Sequence, residues 1–497
     1  MIEFLGASAL GAAGCGLIRR RPEARLLASH IQPPHPFKVA LPMPPVLKPV
    51  KISAVTDFYE MAVYPAEVEI LPGVKTKIWG YEGSFPGPTI EASRGRQIDL
   101  LQKNLLPVPI VTHLHGGCTP PESDGYPTDL ILPEAGSLMA HMNDPLAKIA
   151  KGQRSYIFPN EQRAATLWYH DHRMDFTGPQ VWRGLAGFYL IRDDGEDALS
   201  LPKGEKDIPL MICDRSFAED GSFRYPALDP SLIEKAGVED DYMGGVLGDV
   251  ILVNGAPWPN LEVANTRYRF RLLNASNARR YELRLDPPDA DGTSFIQIAS
   301  DGGLLPAPIS RRSIRIAPAE RSEVIIDFSK YPLGSTVVLR NDADEGPTSN
   351  IMQFRVTRSE KDESAVPVKL SDIPRLDPAA AAVKRNFHFS DGRVHGRSGW
   401  TINGHPFDPT RMDAQPKLDE IEIWQLTTDI GHPVHLHLVH FQVISDPEMG
   451  WKDTVDLVPG RTVKIIMRFS GFKGRYVFHC HNLEHEDMAM MGNFEVA

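Results

Sequence analysis

The chain has 497 residues, too many for one hydrophobic core, so about two to four domains are expected. Hydrophobic residues make up 42% and charged residues 24%, the balance of an ordinary soluble globular protein. A net charge of -11 without a basic stripe excludes a phosphate-backbone binder, so no nucleic-acid partner is expected.

Residues Leu5 to Ile18 form a small apolar run like the core of a secretory signal, yet only Met1-Ile2-Glu3-Phe4 precede it and no basic region leads in. Two readings stand: a clipped export signal, implying a secreted or periplasmic protein, and a disordered tail. The run is too short to span a bilayer, and no other segment looks transmembrane. Proline then occupies seven of the seventeen positions from Pro33 to Pro49, which predicts an extended lead-in and no helix. Residues 1–49 are therefore expected to be an N-terminal tail.

Beyond it, short alternating runs dominate. Val463, Ile465, Met467 and Phe469 alternate with Lys464, Ile466 and Arg468. Such period-2 runs, broken by Gly, Pro, Asn and Asp, indicate a mostly β chain. Three similar turns recur: Gly83-Ser84-Phe85-Pro86, Gly255-Ala256-Pro257-Trp258-Pro259 and Gly404-His405-Pro406-Phe407. They lie 172 (255 − 83) and 149 (404 − 255) residues apart. These intervals suit a β-sandwich repeated three times, with domains expected at 50–196, 197–360 and 361–497.

The histidines repeat as well. The first unit carries His113-Leu114-His115 and His170-Asp171-His172. The third carries His435-Leu436-His437 and His479-Cys480-His481, and the middle unit has no such pair. On a strand, His-x-His puts both imidazoles on one face. If units one and three face each other, eight imidazoles converge on one space and suffice for about three metal ions, with room for a small molecule.

Cys480 points to the opposite face from its neighbours. There it can meet His432, His485 and Met490, and a His₂Cys set with a weak axial Met is the blue-copper electron-transfer site. One tripeptide thus touches two metal centres. Zinc competes poorly, because its sites close with about three or four protein ligands. Cys118 and Cys213 read as buried free thiols, with a disulfide between them as the alternative.

With these motifs the sequence resembles the multicopper oxidases, and most nearly their bacterial spore-coat laccase and bilirubin oxidase group. The likeness is carried by His113-Leu-His115-Gly116-Gly117, Trp168-Tyr169-His170-Asp171-His172, His432-Pro433-Val434-His435-Leu436-His437, and the run from His479-Cys480-His481 through His485-Glu486-Asp487 to Met490. It extends over roughly residues 50 to 497, including Asp214-Arg215-Ser216-Phe217 and Ala317-Pro318-Ala319-Glu320-Arg321. The resemblance implies an all-β chain of three consecutive cupredoxin-like Greek-key β-sandwich domains. It implies a type 1 copper on His432, Cys480 and His485 with Met490 axial, and a type 2 copper on His113 and His435. It implies a type 3 pair on His115, His170, His172, His437, His479 and His481. The expected cofactor is therefore about four copper ions. The expected partners are a small-molecule electron donor and dioxygen, with the protein a monomer.

Two carboxylates also match that group, Asp124 and Glu486. Water formation from dioxygen consumes a proton for each electron, so acids beside a buried cluster suit a relay. His30, His35, His141, His388, His395, His405 and His440 match no ligand position and are expected at the surface or in packing. Met488 and Met491 are expected to pack. The donor remains open among phenols, aromatic amines, bilirubin and metal ions. The rival readings are a cuprous or ferrous metallo-oxidase, a copper-binding or structural relative without turnover, and a nitrite reductase, which length and ligand count disfavour.

Overall fold

The computed structural model describes residues 23–135, 144–394 and 396–497. The signal-like run, His141 and His395 lie outside them. Apart from Arg25–Leu27, the strands occupy three stretches, 51–192, 207–358 and 383–496, and each forms two large sheets. The chain is all-β, as its period-2 patterning requires. The three turns that recur in the sequence are one structure used three times. Glu82-Gly83, Asn254-Gly255 and Asn403-Gly404 all have positive φ at both residues (52 and 64°, 50 and 86°, 54 and 77°). Positive φ at both central residues is the signature of a type I′ turn, and Asn254-Gly255 uses it to join the paired strands Val250–Val253 and Ala256–Pro257.

In the first unit, a sheet of Lys51–Ile52, Thr56–Glu69, Lys75–Tyr81, Gln97–Asn104 and Gln153–Phe158 covers a four-stranded sheet. The latter holds Gly87–Ser93, Ala186–Arg192, β1 (Thr112–His115) and β2 (Ala165–Asp171). In the middle unit, β3 (Arg321–Asp327) lies in an eight-stranded sheet. The third unit repeats the plan of the first. Its four-stranded sheet holds Thr454–Leu457, β4 (His432–Leu436), β5 (Gly474–Cys480) and β6 (Met491–Val496).

The inner strands of units one and three are buried on both faces. Leu114, Ala165, Leu167 and Tyr169 enter the core of the first unit. Val434, Leu436, Tyr476, Phe478 and Cys480 enter that of the third. Strand alternation then sends His113, His115, His170, His435 and His479 to the other face, between the units.

The proline-rich lead-in is extended, and the described residues from 23 to 49 pair with the rest of the chain. Arg25–Leu27 pairs in parallel with Val246–Gly248. Phe37 N donates to Trp258 O and Leu41 N to Asn260 O, both at 2.8 Å. Prolines cannot donate to a ladder, yet the residues between them keep their N–H groups and pair with the edge of the middle unit. Cys118 and Cys213 are free thiols, with no disulfide between them.

The turns yield a test. A Cβ on Gly404 would meet nothing within 4 Å, so Gly404→Ala should cost only the left-handed backbone penalty, about 1–2 kcal/mol. A Cβ on Gly255 would fall 2.4 Å from Phe85 O, so Gly255→Ala should lower the thermal midpoint further. Equal midpoints in the two variants would remove the steric difference.

Candidate metal centre

Sheet register assembles the site in two equivalent halves. In the first unit His170 pairs with His113 across β2 and β1. In the third, His479 pairs with His435 across β5 and β4. The halves face each other. His113 Nε2 lies 3.4 Å from His435 Nε2, and His479 Nε2 lies 3.2 Å from both His172 Nε2 and His437 Nε2. The His113 ring stacks on His437 at 3.7 Å and the His115 ring on His435 at 3.6 Å. All eight histidines are almost completely buried. Three sets have donor atoms mutually close enough for a shared ion: His113, His115 and His435; His115, His170 and His481; His172, His437 and His479.

The outward nitrogens are held from behind. His113 Nδ1 meets Asp124 O at 2.5 Å, His170 Nδ1 meets Asp171 O at 2.8 Å, and His435 Nδ1 meets Asp453 O at 2.9 Å. His437 Nδ1 lies 2.7 Å from Asp124 Oδ2, and His479 Nδ1 meets Cys480 O at 3.1 Å with Glu486 Oε2 3.0 Å away. Ligating histidines are oriented in this way. Burial pushes the Asp124 and Glu486 carboxyls up, favouring a proton on each.

On the other face of β5, Cys480 Sγ lies 3.4 Å from His432 Nδ1 and 3.6 Å from His485 Nδ1, and those two nitrogens are 2.9 Å apart. The short helix Leu483–Asp487, capped by Asn482 accepting from His485 N, folds His485 back toward the thiol. Met490 is fully buried in the same cluster as Cys480, and its carbonyl accepts from Cys480 N at 3.1 Å. Met491 packs on Tyr126 and Val477, and Met488 reaches toward Gly237. His30, His35, His388 and His405 are exposed, and His440 is partly buried beside Asp453.

The donors fit copper. His115 Nδ1, His170 Nε2 and both His481 nitrogens are buried without a hydrogen-bond partner. Orphaned buried nitrogens are costly, and a metal ion would satisfy them. Burial pushes the Cys480 thiol up, so the thiolate needs a cation beside it. Spacing did not reveal Asp453 and Arg321. Both lie against the site, Arg321 reaching it from the middle domain and Asp453 from the third, and only the general likeness around Arg321 touched either one.

Comparison with known proteins agrees. Multicopper oxidase family models match residues 62–196 and 375–497. The chain is 40% identical to a laccase from Bacillus stratosphericus over 93% of this chain and 99% of that one. It is 35% identical to a bilirubin oxidase from Albifimbria verrucaria, over 94% and 82%. The crystal structure of a laccase from Pediococcus acidilactici superposes with a TM-score of 0.79 at 32% identity, covering 95% of this chain and 96% of that one. The chain belongs to the multicopper oxidase family, whose members are copper-dependent oxidoreductases with oxygen as acceptor.

Burial also sets a pH dependence for the metal-free protein. It lowers His172 to about 4, despite the opposing Glu486 charge, and His479 to about 3. Unfolded histidines take up protons near pH 6.5 and the folded ones do so only at lower pH. Stability from these groups is therefore complete above about pH 6.5 and is lost as pH falls toward 4 and 3. The thermal midpoint of the apoprotein should therefore drop from pH 7 to pH 5, and a midpoint that stays level over that range would contradict this.

Proposed function

We propose that this protein is an oxidase of the laccase and bilirubin oxidase type. It takes electrons singly from a phenol, aromatic amine or tetrapyrrole at the type 1 site and passes them to the histidine cluster, where dioxygen becomes water. His432, Cys480 and His485 would hold the type 1 copper, with Met490 as a weak further donor. His113 and His435 would hold the type 2 copper. His115, His170, His172, His437, His479 and His481 would hold the type 3 pair. Bound there, copper supplies the one-electron redox couple.

The observation that carries this reading is the placement of Cys480. Its side chain faces the His432–His485 pocket while His479, the residue before it, faces the cluster. Two redox sites are thereby joined through one peptide. Asp124 and Glu486 stand where protons are consumed. Asp124 Oδ2 and the Glu486 carboxylate can each hold a proton against a cluster histidine, and Thr177 Oγ1 fixes Glu486 Oε1 at 2.7 Å.

The protein as purified should be blue and bind about four copper ions, one blue and three clustered. Cys480→Ser should remove the colour and the oxidase activity and leave the fold, and a blue Cys480→Ser protein rules out the type 1 assignment. Met490→Leu nearly conserves volume, so copper should stay bound while the type 1 potential rises. Met488→Leu and Met491→Leu should leave that potential nearly unchanged. A redox titration of the blue band that shifts in either of them and not in Met490→Leu overturns the axial assignment.

Asp124→Asn and Glu486→Gln remove an ionisable proton and little volume. Anaerobic bleaching of the blue band by a phenol should be near normal in both, and reoxidation by oxygen slow. Normal turnover across the active pH range would reject the relay. Steady-state rates with bilirubin, a phenol, an aromatic amine and ferrous iron assign the donor, and ferrous iron alone being oxidised would favour a metallo-oxidase.

A further inference from the structure

Five of the eight cluster histidines direct Nδ1 outward to a carbonyl or carboxylate oxygen: His113, His170, His435, His437 and His479. His115 is turned the other way. Its Nε2 lies 3.0 Å from Asp453 Oδ1 and 3.2 Å from Thr454 Oγ1, and its Nδ1 is the orphaned atom. Imidazole carries one proton when neutral, and the carboxylate fixes it on Nε2. The Nδ1 lone pair is then the one available to a metal.

Asp453 is itself held. Arg321 Nη1 donates to Asp453 Oδ1 at 2.8 Å and Arg321 Nη2 to Oδ2, a bidentate pair buried to the last atom. The remaining donors of Arg321 are also taken. Nε donates to Thr166 O at 3.0 Å, Nη1 to Ala319 O at 3.0 Å and Nη2 to Asp301 O at 3.3 Å. All five guanidinium N–H groups are thus used, which fixes the plane of the fork. Each domain contributes: β2 and His115 from the first, Arg321 and Asp301 from the middle, and Asp453 from the third. Gly116, next to His115, has φ +82°, and a Cβ there would come within 2.7 Å of both Arg321 Nη2 and Asp453 Oδ2. Only glycine leaves room for this pair to close over the His115 backbone.

We propose that Arg321 and Asp453 are positioning residues for the copper cluster: the middle domain, which holds no ligand of its own, uses Arg321 to clamp the Asp453 carboxylate, and the carboxylate sets which nitrogen His115 offers to copper. This rests on the copper reading above. Neither residue touches the metal. They act through His115, and through the Asp453 carbonyl that also holds His435 Nδ1.

The test uses full-length protein loaded with copper. Asp453→Asn keeps the shape and loses the second charge-assisted bond. Arg321→Lys keeps the buried charge and loses the fork, so it carries the test if the asparagine variant fails to fold. In both, the blue band should stay at full intensity and the fold should be native by circular dichroism. Cluster copper should be stripped at a chelator concentration about ten- to a hundredfold lower than in the unchanged protein. Electron paramagnetic resonance should show a new cupric signal from a type 3 pair no longer magnetically coupled. A purely structural ion pair would lower the thermal midpoint and leave that spectrum alone. Native copper retention with a native spectrum in the folded variants overturns the proposal, and so does loss of type 1 and cluster copper in step. Absence of copper from the unchanged protein would instead defeat the copper reading itself.

Discussion

Eight imidazoles share one buried space between two domains, and the protein supplies too few partners to satisfy their nitrogens. Several ring nitrogens end without a hydrogen bond, others face one another at 3.2–3.4 Å, and burial suppresses protonation of most of these rings. A packed interior does not tolerate such an arrangement unless something else binds the lone pairs. Copper, which the family implies, would meet that need, and the sheet register of the two outer domains holds the two halves face to face.

The third domain couples the halves of the chemistry through strand alternation. A residue on β5 must face either the domain core or the interdomain space. His479 faces the interdomain space and Cys480 faces the core, where His432, His485 and Met490 converge. The link between the sites is therefore a backbone constraint and needs no side chain to bridge it. Asn482 caps the short helix that returns His485 to Cys480, so the loop closes within a few residues.

The middle domain fixes the frame. Arg269 and Arg271 are buried among Glu196, Asp207 and Glu323, which ties the second unit to the end of the first. Leaving one member of such a network unpaired costs roughly 3–5 kcal/mol. The extended lead-in pairs along the edge of the same domain, and Lys452 joins Asp301 and Glu320 across to the third. A domain without metal ligands is thus the member against which both ligand-bearing domains are aligned.

Much of this was legible in the sequence because the information is local. His-x-His declares one face of a strand by itself, Cys480 declares the opposite face by its place in the tripeptide, and a turn glycine needing positive φ recurs in each unit. The histidines and the cysteine that the fold groups together could therefore be named from spacing and resemblance. Tertiary structure alone decided which pairs face each other. It also chose the nitrogen that each ring presents, and joined Arg321 and Asp453, 132 residues apart, behind His115. It laid the proline-rich lead-in along the edge of the middle unit. Those features depend on contacts between domains, and no periodicity or spacing along one chain encodes the distance between two surfaces that meet only after folding.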